Sequence, residues 1–183
     1  MPVDTMGLLG KYFKNEVMDM VVIHGKMVSE LALQTGQHLG MSGTELQFLE
    51  EAAMLHDIGI CRVHAPGIGM HGEAPYIRHG IIGREILEGE GLPKHALICE
   101  RHIGVGLTID DITSQKLPLP LRDMTPQSVA EEIICFADLF YSKTPGKLER
   151  RKSVDRVREK LAGFGAGKVI VFDEWLKRFG VIL

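Results

Sequence analysis

The stretch Ala-Ala-Met-Leu-His-Asp-Ile-Gly-Ile, residues 52–60, ends an apolar helical run with His56 and Asp57 side by side. Imidazole and carboxylate are groups that bind transition metals and move protons near neutral pH. Four more of them sit on apolar stripes. His24 lies among Val17, Met20, Val21, Val28 and Leu31 at helical spacing. His79 shares a face with Ile82, Gly83 and Ile86, His102 follows Ile98 and Cys99 by one turn, and Asp138 follows Ile134 and Cys135. Burying four imidazoles and two carboxylates is costly unless they are paired or bound to a cation. If the six converge, a metal centre is the economical explanation. His56 and Asp57, adjacent at a helix end, could both reach one cation, and the second oxygen of Asp57 could bridge to another. Two divalent cations would bring four positive charges against two aspartates. The surplus would attract an anionic substrate and lower the pKa of a bound water. Imidazole and carboxylate without thiolate favour iron, manganese, nickel, cobalt or zinc over magnesium.

These groups need rigid carriers, and the pattern supplies helices. Apolar periodicity predicts a first helix over residues 11–35, broken by Gly-Gln-His-Leu-Gly. Ser42 with Glu45 reads as a capping box that opens a second helix, and Gly59 stops it. A Gly/Pro-rich loop over residues 61–77 follows, in which His64 and His71 could cover the site. Further helices are expected over 78–90, over 93–102 with Pro93 at its first position, and over 127–142. Two more are expected over 147–161 and 168–179. The connection 104–126 reads as loop. The one strand-like run, Lys-Val-Ile-Val-Phe at 168–172, fits the last helix better. The fold expected is an all-α, single-domain bundle over residues 1–183, its motif region at about 21–143 and the helices of 147–183 packed on it.

Composition narrows the function. Hydrophobic residues make up 45 % and charged residues 25 %, with a formal net charge of −3, so no global basic field marks a nucleic-acid surface. The run Lys147–Lys160 is basic, but Glu149, Asp155 and Glu159 interleave it, as on a solvated helix face. No apolar run is long enough to span a membrane, and the first residues lack the signal-peptide pattern. Cys61, Cys99 and Cys135 are isolated and odd in number, which suits core packing in a reduced cytoplasmic protein. Gly-Phe-Gly-Ala-Gly-Lys at 163–168 is one residue short of a phosphate loop and lacks a hydroxyl residue after Lys168, so it reads as a turn between helices.

His24, the His-Asp-Ile-Gly of residues 56–59, His79 in Ile-Arg-His-Gly, His102 in Glu-Arg-His-Ile-Gly and Asp138 in Ala-Asp-Leu-Phe-Tyr-Ser-Lys together resemble the HD-domain metal-dependent phosphohydrolase superfamily. The two further histidines resemble its two-metal subset. The resemblance implies that His24, His56, Asp57 and Asp138 hold one metal, and that His79 and His102 hold a second bridged by Asp57. It implies a water between the metals attacking phosphorus. It also implies a basic residue facing the phosphate, with Lys143 in that position and Arg101 and Arg62 as further candidates. The chain departs from the cyclic-dinucleotide phosphodiesterase branch. Ile60 stands where that branch has lysine, the following loop lacks Gly-Tyr-Pro, and Arg101-His102 replaces paired histidines. A small stand-alone phosphohydrolase acting on a nucleotide or related phosphate ester is therefore the expectation. Two other functions fit the same residues: a diiron oxygenase of the superfamily, and a non-catalytic nucleotide-binding regulatory module.

Overall fold

A computed structural model describes residues 2–180. They form one mostly helical domain with nine α-helices, α1 Thr5–Tyr12, α2 Asn15–His38, α3 Gly43–Leu55, α4 His79–Gly89, α5 Pro93–Arg101, α6 Ile109–Ser114, α7 Val129–Leu139, α8 Val154–Ala162 and α9 Ala166–Phe179. Helix α3 opens on the expected capping box. The Ser42 amide donates to Glu45 Oε2 at 2.8 Å, and the Glu45 amide donates back to Ser42 Oγ.

Four details differ from the sequence reading, each for a local reason. The first expected helix is two. Lys14 is extended and Asn15 takes a left-handed φ of 52°, a conformation asparagine tolerates, so the chain turns between α1 and α2. The buried Phe13 fills the corner, and its apolar character masked the break. The loop after Asp57 holds a 3₁₀ turn, Ile58–Arg62, and a two-residue antiparallel pair, β1 His64–Ala65 with β2 Met70–His71. Helix α6 lies inside the expected loop, opened by a capping box between Thr108 and Asp111. Helix α8 starts only at Val154, where Ser153 accepts from the Arg156 amide; the preceding basic residues are not helical.

The core has two main apolar clusters. One joins Leu31, Leu49, Ile98, Phe136 and Phe140 to Leu161, Phe172 and Phe179 of the last two helices. The other joins Leu9, Phe13, Val21, Leu55, Ile60, Leu87 and Cys99. Helices α2, α3 and α5 contribute to both. His24, His56, Asp57 and His102 fall on or at the ends of these shared helices, while His79 comes from α4 in the second cluster and Asp138 from α7 in the first, so the six lie along the seam. His24 stands between Val21 of one cluster and Val28 of the other, and His56 follows Ala53 and Leu55 in the same way.

Candidate metal centre

Four of the six groups occupy helix ends. His56 caps α3 and Asp57 follows it with φ −103° and ψ 8°, outside the helical region, which turns its carboxylate away from the α3 axis. His79 is the first residue of α4, and His102 caps α5. His24 is in the middle of α2, and Asp138 is in the last turn of α7. A carboxylate at a helix C-terminus opposes the helix dipole and calls for a nearby cation.

Close backbone approach brings these ends together. A Cβ on Gly59 would meet the His79 carbonyl oxygen at 1.9 Å, and one on Gly80 would meet the Cys99 carbonyl oxygen at 2.7 Å. Glycine at 59 thus lets the turn after Asp57 press against the start of α4, and glycine at 80 lets α4 press against α5. The Gly of the His-Asp-Ile-Gly motif acts through packing, where the sequence suggested a helix stop.

The six groups converge into two clusters that share Asp57: His24, His56, Asp57 and Asp138; and Asp57, His79 and His102. Asp57 is divided between them. Its Oδ2 lies 3.2 Å from His24 Nε2 and 3.0 Å from His56 Nε2. Its Oδ1 lies 3.6 Å from His79 Nε2 and 3.5 Å from His102 Nε2. Asp138 Oδ1 closes the first cluster, 2.9 Å from His24 Nε2 and 3.5 Å from His56 Nε2.

The chemistry of the donor set fits a cation. Three rings are oriented by their own backbone three residues earlier: His56 Nδ1 by the Ala53 carbonyl at 2.6 Å, His79 Nδ1 by Tyr76 at 2.7 Å and His102 Nδ1 by Cys99 at 2.8 Å. In the neutral ring each Nδ1–H donates to that carbonyl, which leaves Nε2 as a lone pair aimed inward. The Nε2 atoms of His79 and His102 then face each other at 3.1 Å, an arrangement that needs something positive between or beside them. Both nitrogens of His24, His56 Nε2 and both oxygens of Asp57 are buried without a hydrogen-bond partner. They are close enough to touch but not aligned to donate and accept.

Charge around the centre is uneven. Burial alone would lower the His56 pKa, but the charge of Asp57 and the contact with Asp138 outweigh it and lift it to about 10. Burial and the neighbouring His102 push His79 down to about 3. Burial would raise both carboxyls, yet His56 and Lys143 hold Asp57 well below the usual range, and Lys143 and His24 do the same for Asp138.

Lys143 reaches the centre, its Nζ 2.6 Å from Asp57 Oδ2. Burial opposes its charge, but Asp57 and Asp138 raise its pKa. Arg101 and Arg62 are placed differently. Arg101 Nη1 donates to both oxygens of Glu131, at 3.0 and 3.1 Å, and ties α5 to α7. Arg62 is exposed, and neither arginine lines the cleft that opens on the centre. His64 and His71 face each other across the β1–β2 pair and are exposed, while Ala65, Gly67 and Ile68 beside them form cleft wall.

That cleft has a volume of about 560 Å³. His79, His102, Asp138 and Lys143 form its floor, with the Tyr76 ring tilted against the His79 ring at a centroid distance of 4.8 Å. Burial pushes the Tyr76 hydroxyl up to about 12, against the pull of Lys143. The sequence reading missed Tyr76, Lys152, Lys160 and Phe164 as cleft residues. Tyr76 was hidden in a Gly/Pro-rich loop, and the other three depend on how α8 and α9 fold back.

A helical bundle whose helix ends carry this histidine and aspartate set is of the HD-domain class, and the chain belongs to that family: the HD domain matches residues 21–142. It is 36 % identical over 128 residues to an uncharacterised protein of Methanocaldococcus jannaschii, covering 68 % of each. It is 28 % identical over 158 residues to a tRNA (cytidine(56)-2'-O)-methyltransferase of Thermoplasma volcanium, covering 86 % of this chain and 42 % of that protein. For the same-named protein of Picrophilus torridus the identity is 29 %, over 68 % of this chain and 32 % of that protein. The chain thus spans less than half of either methyltransferase. Among solved structures, the fold matches the HD domain of the Listeria monocytogenes phosphodiesterase PgpH with a TM-score of 0.56 and 16 % identity, over 96 % of this chain and 86 % of that one. The same domain in complex with cyclic-di-AMP matches at 0.54 and 12 %, over 99 % of each chain.

Proposed function

We propose that this protein is a metal-dependent phosphohydrolase that cleaves a phosphate ester of a nucleotide or related small molecule at a two-metal centre. The observation that carries this reading is Asp57, whose two oxygens face two imidazole clusters at the floor of a lysine-bearing cleft. His24, His56, Asp57 and Asp138 would hold one divalent ion, and Asp57, His79 and His102 the other; iron, manganese, nickel, cobalt and zinc suit the donors. When bound, such ions supply an activated water and stabilise charge at phosphorus.

The chain's own residues do the rest. The carbonyls of Ala53, Tyr76 and Cys99 hold three imidazoles in one tautomer and orientation. Lys143 offers a buried ammonium to a phosphoryl oxygen beside Asp57. Tyr76 packs its ring against that of His79.

The test combines metal content of protein purified without chelator with phosphate release from a panel of nucleoside phosphates. About two transition-metal equivalents and turnover in the wild type are expected. Asp57→Ala should lose metal from both clusters and lose turnover by at least ~10³-fold while remaining helical. Full metal retention in that variant would remove the bridging role. Oxygen uptake by an iron-loaded form with no phosphate release would redirect the reading to an oxygenase. Absence of metal after reconstitution with manganese, iron and nickel would leave a binding module.

A further inference from the structure

The cleft extends well beyond the metal centre. Its far wall is built by residues after position 142, outside the part of the chain matched by the HD domain. Leu161, Phe164, Lys152 and Lys160 come from α8 and the turns on either side of it, and Lys168 comes from α9. Leu139, Val105, Leu107 and Leu117 add apolar wall to the same cleft. Phe164 is 57 % exposed, a large aromatic surface open to the cleft.

The three lysines at this end are not equivalent. Lys168 is neutralised by Asp111 and donates to the Gly106 carbonyl at 2.9 Å. Lys152 and Lys160 have no carboxylate within ion-pair distance among the described residues. The half-buried Lys152 ammonium is anchored by the Leu139 and Tyr141 carbonyls at the end of α7. Burial, and then the like charge of Lys160, lower its pKa to about 8. Two cations that form no ion pair thus line one partly apolar cleft together with the metal centre, and Asp138, itself a candidate metal ligand, is the carboxylate whose charge reaches Lys152. That is the arrangement an anionic group on a ligand would relieve.

We infer that Lys152 and Lys160 form a second anion subsite, and that the preferred substrate is a nucleotide carrying two separated phosphoryl groups. One phosphoryl group lies at the Asp57 and Lys143 end. The other lies between Lys152 and Lys160, and the nucleoside spans the apolar wall with its base against Phe164. This assignment rests on the phosphoester reading for its first phosphoryl position. Its volume requirement is met: about 560 Å³ is in the range of small-molecule sites and larger than a lone phosphate needs.

The experiment compares adenosine 5'-monophosphate with adenosine 3',5'-bisphosphate on metal-loaded protein, by turnover and by calorimetric binding. The wild type should favour the bisphosphate by roughly tenfold or more, the size expected of one charge-assisted contact, and mainly through KM or Kd. Lys160→Glu and Lys152→Met should each bring that ratio close to one without loss of metal. Lys160 is exposed, so Lys160→Glu tests the subsite even if Lys152→Met fails to fold. A wild-type ratio near one in binding, or a ratio that survives Lys160→Glu, overturns the subsite whether or not the protein is a hydrolase. A bisphosphate preference in binding that Lys160→Glu abolishes upholds the subsite even if neither compound is turned over, and the hydrolase reading then falls only if the whole nucleoside-phosphate panel gives no phosphate release.

Discussion

Lys143 is the residue where charge and chemistry meet most directly. Its ammonium lies against Asp57 and raises the local positive potential where an anionic ester would bind. Lys143→Ala should lower kcat/KM by about 10²-fold with metal content intact, the scale of losing one preorganised electrostatic contact. A second outcome separates it from a surface lysine. In chelator-treated protein Asp138 would lose its main cationic neighbour and Asp57 one of two, so the variant should be destabilised by about 3 kcal/mol there and by less when metal is present. Urea unfolding of both forms checks this; equal losses would make Lys143 a packing residue. Five of the six positions were legible from apolar periodicity interrupted by polar groups, because burial of such groups demands a reason, and Asp57 was legible from its place beside His56. Arg101 was not legible. Its neighbour in sequence is His102, but its partner in space is Glu131, thirty residues away on α7.

The elements around the centre are joined by contacts that sequence periodicity does not report. Gly59 is one. Gly59→Ala would force its Cβ into the His79 carbonyl, pushing α4 outward and taking His79 from Asp57. The expected result is a loss of about 1–3 kcal/mol and a fall in bound metal from about two equivalents to about one, read by elemental analysis. The break between α1 and α2 was invisible because it uses Asn15 and no glycine or proline. Helix α6 did carry a signal, the Thr108 and Asp111 capping box, in a segment otherwise dominated by loop residues. The end of α7 gives a pH test. Lys152 has a pKa of about 8 in the folded chain against an ordinary 10.5. Between these values the unfolded chain binds more protons, so stability attributable to Lys152 rises with pH across the window, and below pH 8 the cost of burying its charge is fully present. The urea midpoint of the wild type should therefore climb relative to Lys152→Met from about pH 8 to pH 10.5 in metal-free buffer; parallel curves would place that ammonium in ordinary solvent.

At the scale of the molecule, the centre collects ligands from α2, the α3 end, α4, α5 and α7, and so lies across the seam between two apolar clusters. A cation bound there would hold the clusters together. At a hundredfold excess over Kd each site adds about 3 kcal/mol, and for a chain of this size that moves Tm by roughly 5–10 °C per site, so roughly 10–20 °C for two. Scanning calorimetry before and after chelation should show that drop. The all-α bundle and the run of helices were evident from sequence, while the cleft was not, since its two ends come from segments far apart in the chain. The far wall belongs to α8 and α9, which pack on α7 through Phe136, Phe140, Phe172 and Phe179. None of the six candidate ligands belongs to this hairpin itself, and Asp138 lies on α7, the helix that carries Phe136. On the proposed reading selectivity and reactivity sit on separable parts: replacing the α8–α9 hairpin, with its α7 aromatic contacts kept, should re-aim the same centre at differently shaped esters without redesigning the donors.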